Sequence, residues 1–188
     1  SQAFSVMNDI LGSLASLKYT RDNLHQWIDS DDRQVFPPYD QLGSKARVEF
    51  QAKGVVGIIG TWNSPLYTLF SPLACVLGAG NRAILKPSEV TPKTASVLAS
   101  LFDKHIDPLL VSVVTGGVDV SAQFSALPFN HLVFTGSTTV GKKIMRAAAD
   151  NLVPVTLELG GKSPVVLSES CNLAESCKRI AIAKSNNG

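Results

Sequence analysis

HLVFTGSTTVGKKIM, from His131 to Met145, is the stretch that decides how this chain reads. His131–Phe134 has the apolar composition of a buried strand. A glycine turn, Thr135-Gly136-Ser137-Thr138, follows at once, and helical spacing then runs from Thr138 to Ala149. A strand that passes through a glycine turn into a helix is half of a βαβ unit, whose crossover is right-handed and whose strands are parallel.

Working outward, the same pattern recurs. Strands are expected at Val55–Ile59, Ala83–Leu85, Leu110–Val114, His131–Phe134 and Val155–Leu157, with helices at Pro65–Leu77, Pro92–Phe102, Val118–Ala126 and Thr138–Ala149 between them. Alternating strand and helix predicts an α/β fold. Its centre is an open, mainly parallel five-stranded Rossmann-like sheet with helices on both faces. An N-terminal helix precedes the sheet: apolar residues at 4, 7, 11, 14, 17, 24 and 28 mark a packing stripe over Phe4 to Ile28. Ser30 to Ser44, with Pro37 and Pro38, reads as a connector, and Arg47–Gln51 alternates as a half-exposed strand does. Pro164–Leu167 is expected to add a strand. Asn172-Leu173-Ala174-Glu175 is a capping signature for a last helix from Leu173 to about Asn186. The chain divides into residues 1–45, helix and connector, and 46–188, a nucleotide-type domain.

Bulk properties bound the function. The chain has 188 residues, is 45% hydrophobic and carries a net charge of +2. That is core enough for one ordinary domain and too little charge to argue for nucleic acid. Cys75, Cys171 and Cys177 form no CxxC pair, and their odd number suits a reduced, cytoplasmic compartment better than a disulfide framework. His25, His105 and His131 are scattered and suggest no metal site. Gly54 to Asn81 holds no charge, but Gly60, Asn63, Ser64, Pro65 and Pro72 break it into a strand, a turn and a core helix, not a membrane span. The chain starts at Ser1 rather than Met, which raises the expectation of a fragment.

The unusual chemistry falls after the strands: Gly60-Thr61-Trp62-Asn63-Ser64-Pro65, Lys86-Pro87-Ser88-Glu89, Thr115-Gly116-Gly117, Thr135-Gly136-Ser137-Thr138 and Glu158-Leu159-Gly160-Gly161. Open parallel sheets bind ligands at the carboxyl ends of their strands, so this edge reads as a nucleotide-type site. Taken singly, each motif has a plainer reading. Gly136–Lys142 nearly matches a P-loop, but Lys143 stands where a magnesium-binding hydroxyl belongs, and Ser137 would serve equally as a helix cap. Lys86–Glu89 reads as a turn before a helix capped by Thr91 with Pro92 at its first position. Asn63 could cap a helix or donate to an oxyanion. Glu158, in an apolar strand, is either paired with a cation such as Lys162 or held as a base.

Taken in order, "TWNSP", "LKPSE", "FTGSTTVGKKIM" and "PVTLELGGKSP" resemble the aldehyde dehydrogenase superfamily, in its class-3-like branch. "FSALPFNHLVFTGST" is similar to the coniferyl aldehyde group within it. The resemblance covers about Ala46 to Gly188 strongly and makes this the NAD(P)-binding portion of an oxidoreductase acting on aromatic or long-chain aldehydes. It implies NAD as cofactor, with NADP also open, and a homodimer for the full-length enzyme. By the same resemblance Asn63 and Glu158 are catalytic, as oxyanion donor and general base. Trp62, Lys86, Glu89, Gly117, Gly136, Ser137, Thr138, Gly141 and Leu159 bind the cofactor. Lys86 and Glu89 meet the adenosine ribose, Gly136 to Gly141 the phosphates, and Leu159 the nicotinamide through its backbone. Two departures are expected. The family's nucleophilic cysteine follows the segment matched by Ser185–Gly188, so the chain is expected to be inactive alone. Ser64 replaces the usual aromatic, which implies a wide aldehyde pocket. An NTPase module and a non-catalytic remnant are the competing readings.

Overall fold

In a computed structural model, described over residues 5–185, a five-stranded parallel sheet has the order β5-β4-β3-β6-β7. The strands are β3 (Val55–Ile59), β4 (Arg82–Lys86), β5 (Val111–Val113), β6 (His131–Gly136) and β7 (Val155–Leu159). Helices Tyr67–Gly78, Pro92–His105, Val118–Ser125 and Thr138–Ala149 connect them. The chain winds outward from β3 to β5, returns across β3, and winds the other way through β6 and β7. That reversal makes β3 and β6 the topological switch point, where such sheets open a crevice.

The expected α/β architecture is present, and β3 and the Thr138–Ala149 helix span the expected residues. Two apolar clusters divide the sheet faces. On one, Val56, Ile58, Leu85 and Val111 pack with Leu69, Leu73 and Leu98 of the Tyr67–Gly78 and Pro92–His105 helices. On the other, Leu132 and Phe134 of β6 pack with Phe124, Ile144 and Ala148 of the Val118–Ser125 and Thr138–Ala149 helices.

Four expectations differ. The Phe4–Ile28 stripe does not pack as a stripe. Phe4 lies outside the described residues. A π-helical stretch, Ser5–Leu11, runs into an α-helix, Gly12–Ile28, whose buried residues are Ser13 and Thr20, with Asp9 buried just before. Met7, Leu11, Leu14 and Ile28 are exposed, and Leu17 and Leu24 half-buried. Small residues decide this contact: a Cβ at Gly78 would meet Thr20 Cγ2 at 3.2 Å, and Ser16 Oγ lies 3.1 Å from Ser71 Oγ. Close helix approach through small side chains outweighs the apolar spacing. Asp9 Oδ1 also accepts from the backbone N–H groups of Leu66 and Tyr67, at 3.3 and 3.0 Å, and so caps the Tyr67–Gly78 helix from 58 residues away.

The connector contains a strand, β1 (Asp31–Arg33), antiparallel to β2 (Ala46–Val48) and exposed throughout. Pro164–Leu167 is not a strand; Val166 is 92% exposed. No neighbour offers it a ladder, and Pro164 has no N–H to give. The last helix, Leu173–Ser185, is capped by Asn172 Oδ1, which accepts from Glu175 N at 3.1 Å; Asn186 lies outside the described residues. Finally, among the described residues β7 pairs with β6 alone, so it is an edge strand rather than a buried one, and Glu158 is exposed on it. Among the described residues no helix is long and apolar enough to cross a membrane.

Candidate functional site

Register builds the site. Ile59 sits between Lys86 of β4 and Phe134 of β6, and one residue on, Thr135 pairs with Glu158 and Gly136 with Leu159. The carboxyl ends of four strands therefore finish in nearly one row. Above them opens a cavity of about 690 Å³. Trp62, Asn63, Glu89, Gly136, Ser137, Glu158 and Leu159 all line it. These are seven of the eleven positions singled out from the sequence.

Four do not line it. Lys86 lies beneath, fully buried, with Nζ donating to the Pro87 carbonyl at 2.8 Å and 3.7 Å from Glu89 Oε2. Burial lowers its pKa, and the Glu89 carboxylate partly restores it. Gly117 is the N-cap of the Val118–Ser125 helix, and Thr138 is the first residue of its own helix; both are exposed. Gly141 is buried inside that helix, where a Cβ would lie 2.7 Å from Leu159 Cδ2. Its role in the structure is to let the helix approach Leu159.

Alternation along β7 explains why Glu158 is distinctive. Val155 and Leu157 pack under the Thr138–Ala149 helix, so Thr156 and Glu158 face the opposite side. There a second cavity, of about 620 Å³, is lined by Glu158, Thr135, Val133, Tyr67, Thr68 and Ser71 among others. Glu158 lines both cavities, as does its ladder partner Thr135. Among the described residues no cation lies within 4 Å of it, so the expected Lys162 pairing is absent.

The Trp62–Asn63 loop is held by its own polar contacts. Thr61 Oγ1 donates to Asn63 Oδ1 at 2.6 Å, Thr61 N donates to Thr68 Oγ1 at 3.0 Å, and Thr68 Oγ1 donates to the Ser64 carbonyl at 2.9 Å. Asn63 is therefore not a helix cap; Asp9 fills that role. Ser64 lines neither cavity of this chain. Ser137 does cap its helix, accepting from Val140 N at 3.3 Å. Lys142 and Lys143 are exposed and line neither cavity, which is unlike the lysine of a P-loop.

Sequence reasoning passed over the apolar wall. Val90, Val118 and Val140 line the larger cavity and are 62%, 70% and 42% exposed. Two open helices, where an apolar residue at a helix start would ordinarily be unremarkable; their position at the switch point was the available signal. None of the three free cysteines lines the larger cavity, and Cys75 lines the smaller.

Comparison with known proteins agrees with this geometry. The aldehyde dehydrogenase family profile matches residues 5–188. A coniferyl aldehyde dehydrogenase of Pseudomonas sp. strain HR199 is 50% identical over 187 residues, covering 100% of this chain and 38% of that protein. A 4,4'-diaponeurosporen-aldehyde dehydrogenase of Staphylococcus aureus is 39% identical over 175 residues, covering 93% of the chain and 38% of that protein. Among solved structures, the substrate-bound state of Staphylococcus aureus AldH superposes with a TM-score of 0.91 at 38% identity, over 98% of this chain and 40% of the other. An NAD+ complex of a Bacillus cereus aldehyde dehydrogenase gives 0.80 at 30% identity, over 93% and 35%. The chain thus spans about 38% of the length of the curated relatives it matches. A profile match running from residue 5 to the last residue, on a sheet that gathers the motifs at its switch point, identifies this chain as a member of the aldehyde dehydrogenase family.

Proposed function

We propose that this chain is the cofactor-binding portion of an NAD(P)-dependent aldehyde dehydrogenase that oxidises aromatic or long-chain aldehydes to carboxylic acids. The observation that carries the reading is that the Glu158 carboxylate lines two cavities at once. One holds the dinucleotide-type features and the other is a mainly apolar cleft beside Asn63's loop.

The residues fit a dinucleotide. The larger cavity opens on the N-terminus of the Thr138–Ala149 helix, which favours an anion, and on Gly136 and Gly160, which admit close approach. Glu89, which lines the cavity and is braced from beneath by the buried Lys86 at 3.7 Å, is an acceptor for ribose hydroxyls. Val118 and Val140 supply apolar surface for a flat base. When bound, the cofactor supplies the hydride acceptor. NAD is the proposed form, because a 2′-phosphate would meet the charge of Glu89.

The chain's own residues then have distinct work. Asn63 donates from its side-chain amide to the aldehyde oxygen as negative charge develops there. Glu158 takes a proton from water, which attacks the thioester formed on a cysteine thiolate. That thiolate belongs to the part of the relatives that this chain does not span. The same family likeness proposes a cytosolic homodimer.

The test is Glu158→Gln in a full-length enzyme carrying these residues. Turnover is expected to fall by about 10²–10⁴-fold, the usual worth of a general base. The first equivalent of reduced cofactor should still appear in rapid mixing, and cofactor affinity should hold. Normal steady-state turnover would remove Glu158 from the mechanism.

A further inference from the structure

We infer that Thr61 is a positioning residue that fixes which end of the Asn63 amide faces the larger cavity. This rests on the proposed role of Asn63 as the oxyanion donor and deepens it. An asparagine amide is nearly symmetric in shape, so a site that needs its N–H₂ must also exclude the flipped form, which would present a lone pair to a developing negative charge.

The distances around Thr61 select against it. Thr61 Oγ1 approaches Oδ1 of Asn63 at 2.6 Å. That separation belongs to O–H···O contacts, about 2.5–3.0 Å, and is short for N–H···O, about 2.7–3.2 Å. Thr61 has a single hydroxyl proton, and its other oxygen neighbour, Thr68 Oγ1, is farther away at 3.4 Å. Thr68 has already committed its one proton to the Ser64 carbonyl at 2.9 Å, and it accepts from Thr61 N at 3.0 Å. Thr61 therefore receives nothing from Thr68 and is free to donate to Asn63. The flipped amide would leave Thr61 to donate only across 3.4 Å. The result is an amide with its oxygen engaged inside the loop and both N–H donors left for the cavity that Asn63 lines.

The chain Thr68–Thr61–Asn63 also explains how an exposed loop keeps a defined side-chain direction. Thr68 lies in the first turn of the Tyr67–Gly78 helix, whose backbone is anchored by Asp9, so the orientation of Asn63 is referred to a rigid element.

The experiment uses a full-length enzyme carrying these residues, with Thr61→Val, Thr61→Ser and Asn63→Ala, singly and with Thr61→Val added to Asn63→Ala. Asn63→Ala should lower kcat by about 10²–10³-fold, as loss of an oxyanion donor does. Thr61→Val should lower kcat by about 3- to 10-fold with little change in KM, the scale of one lost hydrogen bond. Thr61→Ser should recover at least half of that loss. In the Asn63→Ala background, Thr61→Val should have no further effect, because nothing remains to orient. The inference fails if Thr61→Val is silent while Asn63→Ala is severe, or if the two losses multiply. If Asn63→Ala is itself silent, the proposed oxyanion role fails first and takes the inference with it, which separates the two failures. A crystal structure of Thr61→Val checks the fold independently: the loop backbone should be unchanged and the amide of Asn63 no longer held.

Discussion

Replacing Gly141 with alanine sets two effects of similar size against each other and separates stability from affinity. A Cβ at Gly141 would lie 2.7 Å from Leu159 Cδ2. Carbon atoms rest at about 3.5–4.0 Å, so Leu159 must retreat by roughly 1 Å. It can, because it is 38% exposed and borders the cavity. Forcing a side chain off its rotamer costs about 0.5–1.5 kcal/mol. Alanine for glycine within a helix returns about 0.5–1 kcal/mol. The two nearly cancel, and 1 kcal/mol moves Tm by about 2–4 °C in a chain of this size. The expected change in Tm is therefore under about 4 °C. Affinity has no such offset, because the open side toward which Leu159 yields is the larger cavity, beside Glu158 and Gly160, where the cofactor is proposed to bind. NAD affinity is expected to fall about 10-fold, or about 1.4 kcal/mol. Quenching of Trp62, which lines the same cavity, reports the titration once Trp27 is replaced by Phe. Adding Leu159→Ala to Gly141→Ala should give the Tm of Leu159→Ala alone or better, since the obstructing atoms are gone. Unchanged NAD affinity in a folded Gly141→Ala chain would refute the reasoning. A Tm loss above about 8 °C would also refute it, by showing that Leu159 cannot move.

Glu89→Gln should shift the ratio of NAD to NADP affinities toward NADP, because it removes the charge a 2′-phosphate would meet; binding titrations with both cofactors check this, and an unchanged ratio removes Glu89 from specificity. His131 should make stability fall as pH drops below the usual histidine range. Its pKa is lowered by burial and by Lys53, so the unfolded chain takes up the proton first, and stability erodes between the ordinary value and the lowered one. Lys53 Nζ donates to His131 Nδ1 at 3.1 Å, which places the imidazole proton on Nε2, toward Thr156 Oγ1 at 2.8 Å. His131→Gln should flatten the profile of Tm against pH from 5 to 7, and an undiminished slope would assign it to another group.

What the sequence disclosed follows from where the physics is local. Strand, glycine turn and helix are punctuated by residues with strong backbone preferences, so β3 and the Thr138–Ala149 helix could be read residue by residue. Clustering of the motifs at one sheet edge follows from topology, and seven of the eleven chosen positions do line the larger cavity. The misreadings are non-local. β1 is short, polar and exposed, so nothing in Asp31–Arg33 announces a ladder with residues 46–48. Val165 to Leu167 have strand composition, but composition cannot supply a neighbour. The first helix turns small polar residues inward because Gly78 and Ser71 face it, and no spacing rule within one helix contains that information. The contacts of Gly141 with Leu159 and of Thr61 with Asn63 depend on chain closure and were likewise out of reach.

Asp9 carries a consequence for the order of events in synthesis. The helix behind Asn63 starts at Tyr67 with two backbone N–H groups answered by a carboxylate from 57 and 58 residues earlier. A cap taken from downstream would leave that helix end unanswered while the ribosome finished the remainder. Here the segment carrying the accepting carboxylate emerges first, and the helix that needs it follows. At about 5–20 residues per second, Asp9 has been outside for several seconds before Tyr67 appears. The loop bearing Asn63 can thus be anchored before β6 and β7 exist, so one wall of the larger cavity is framed while the wall bearing Glu158 is still untranslated.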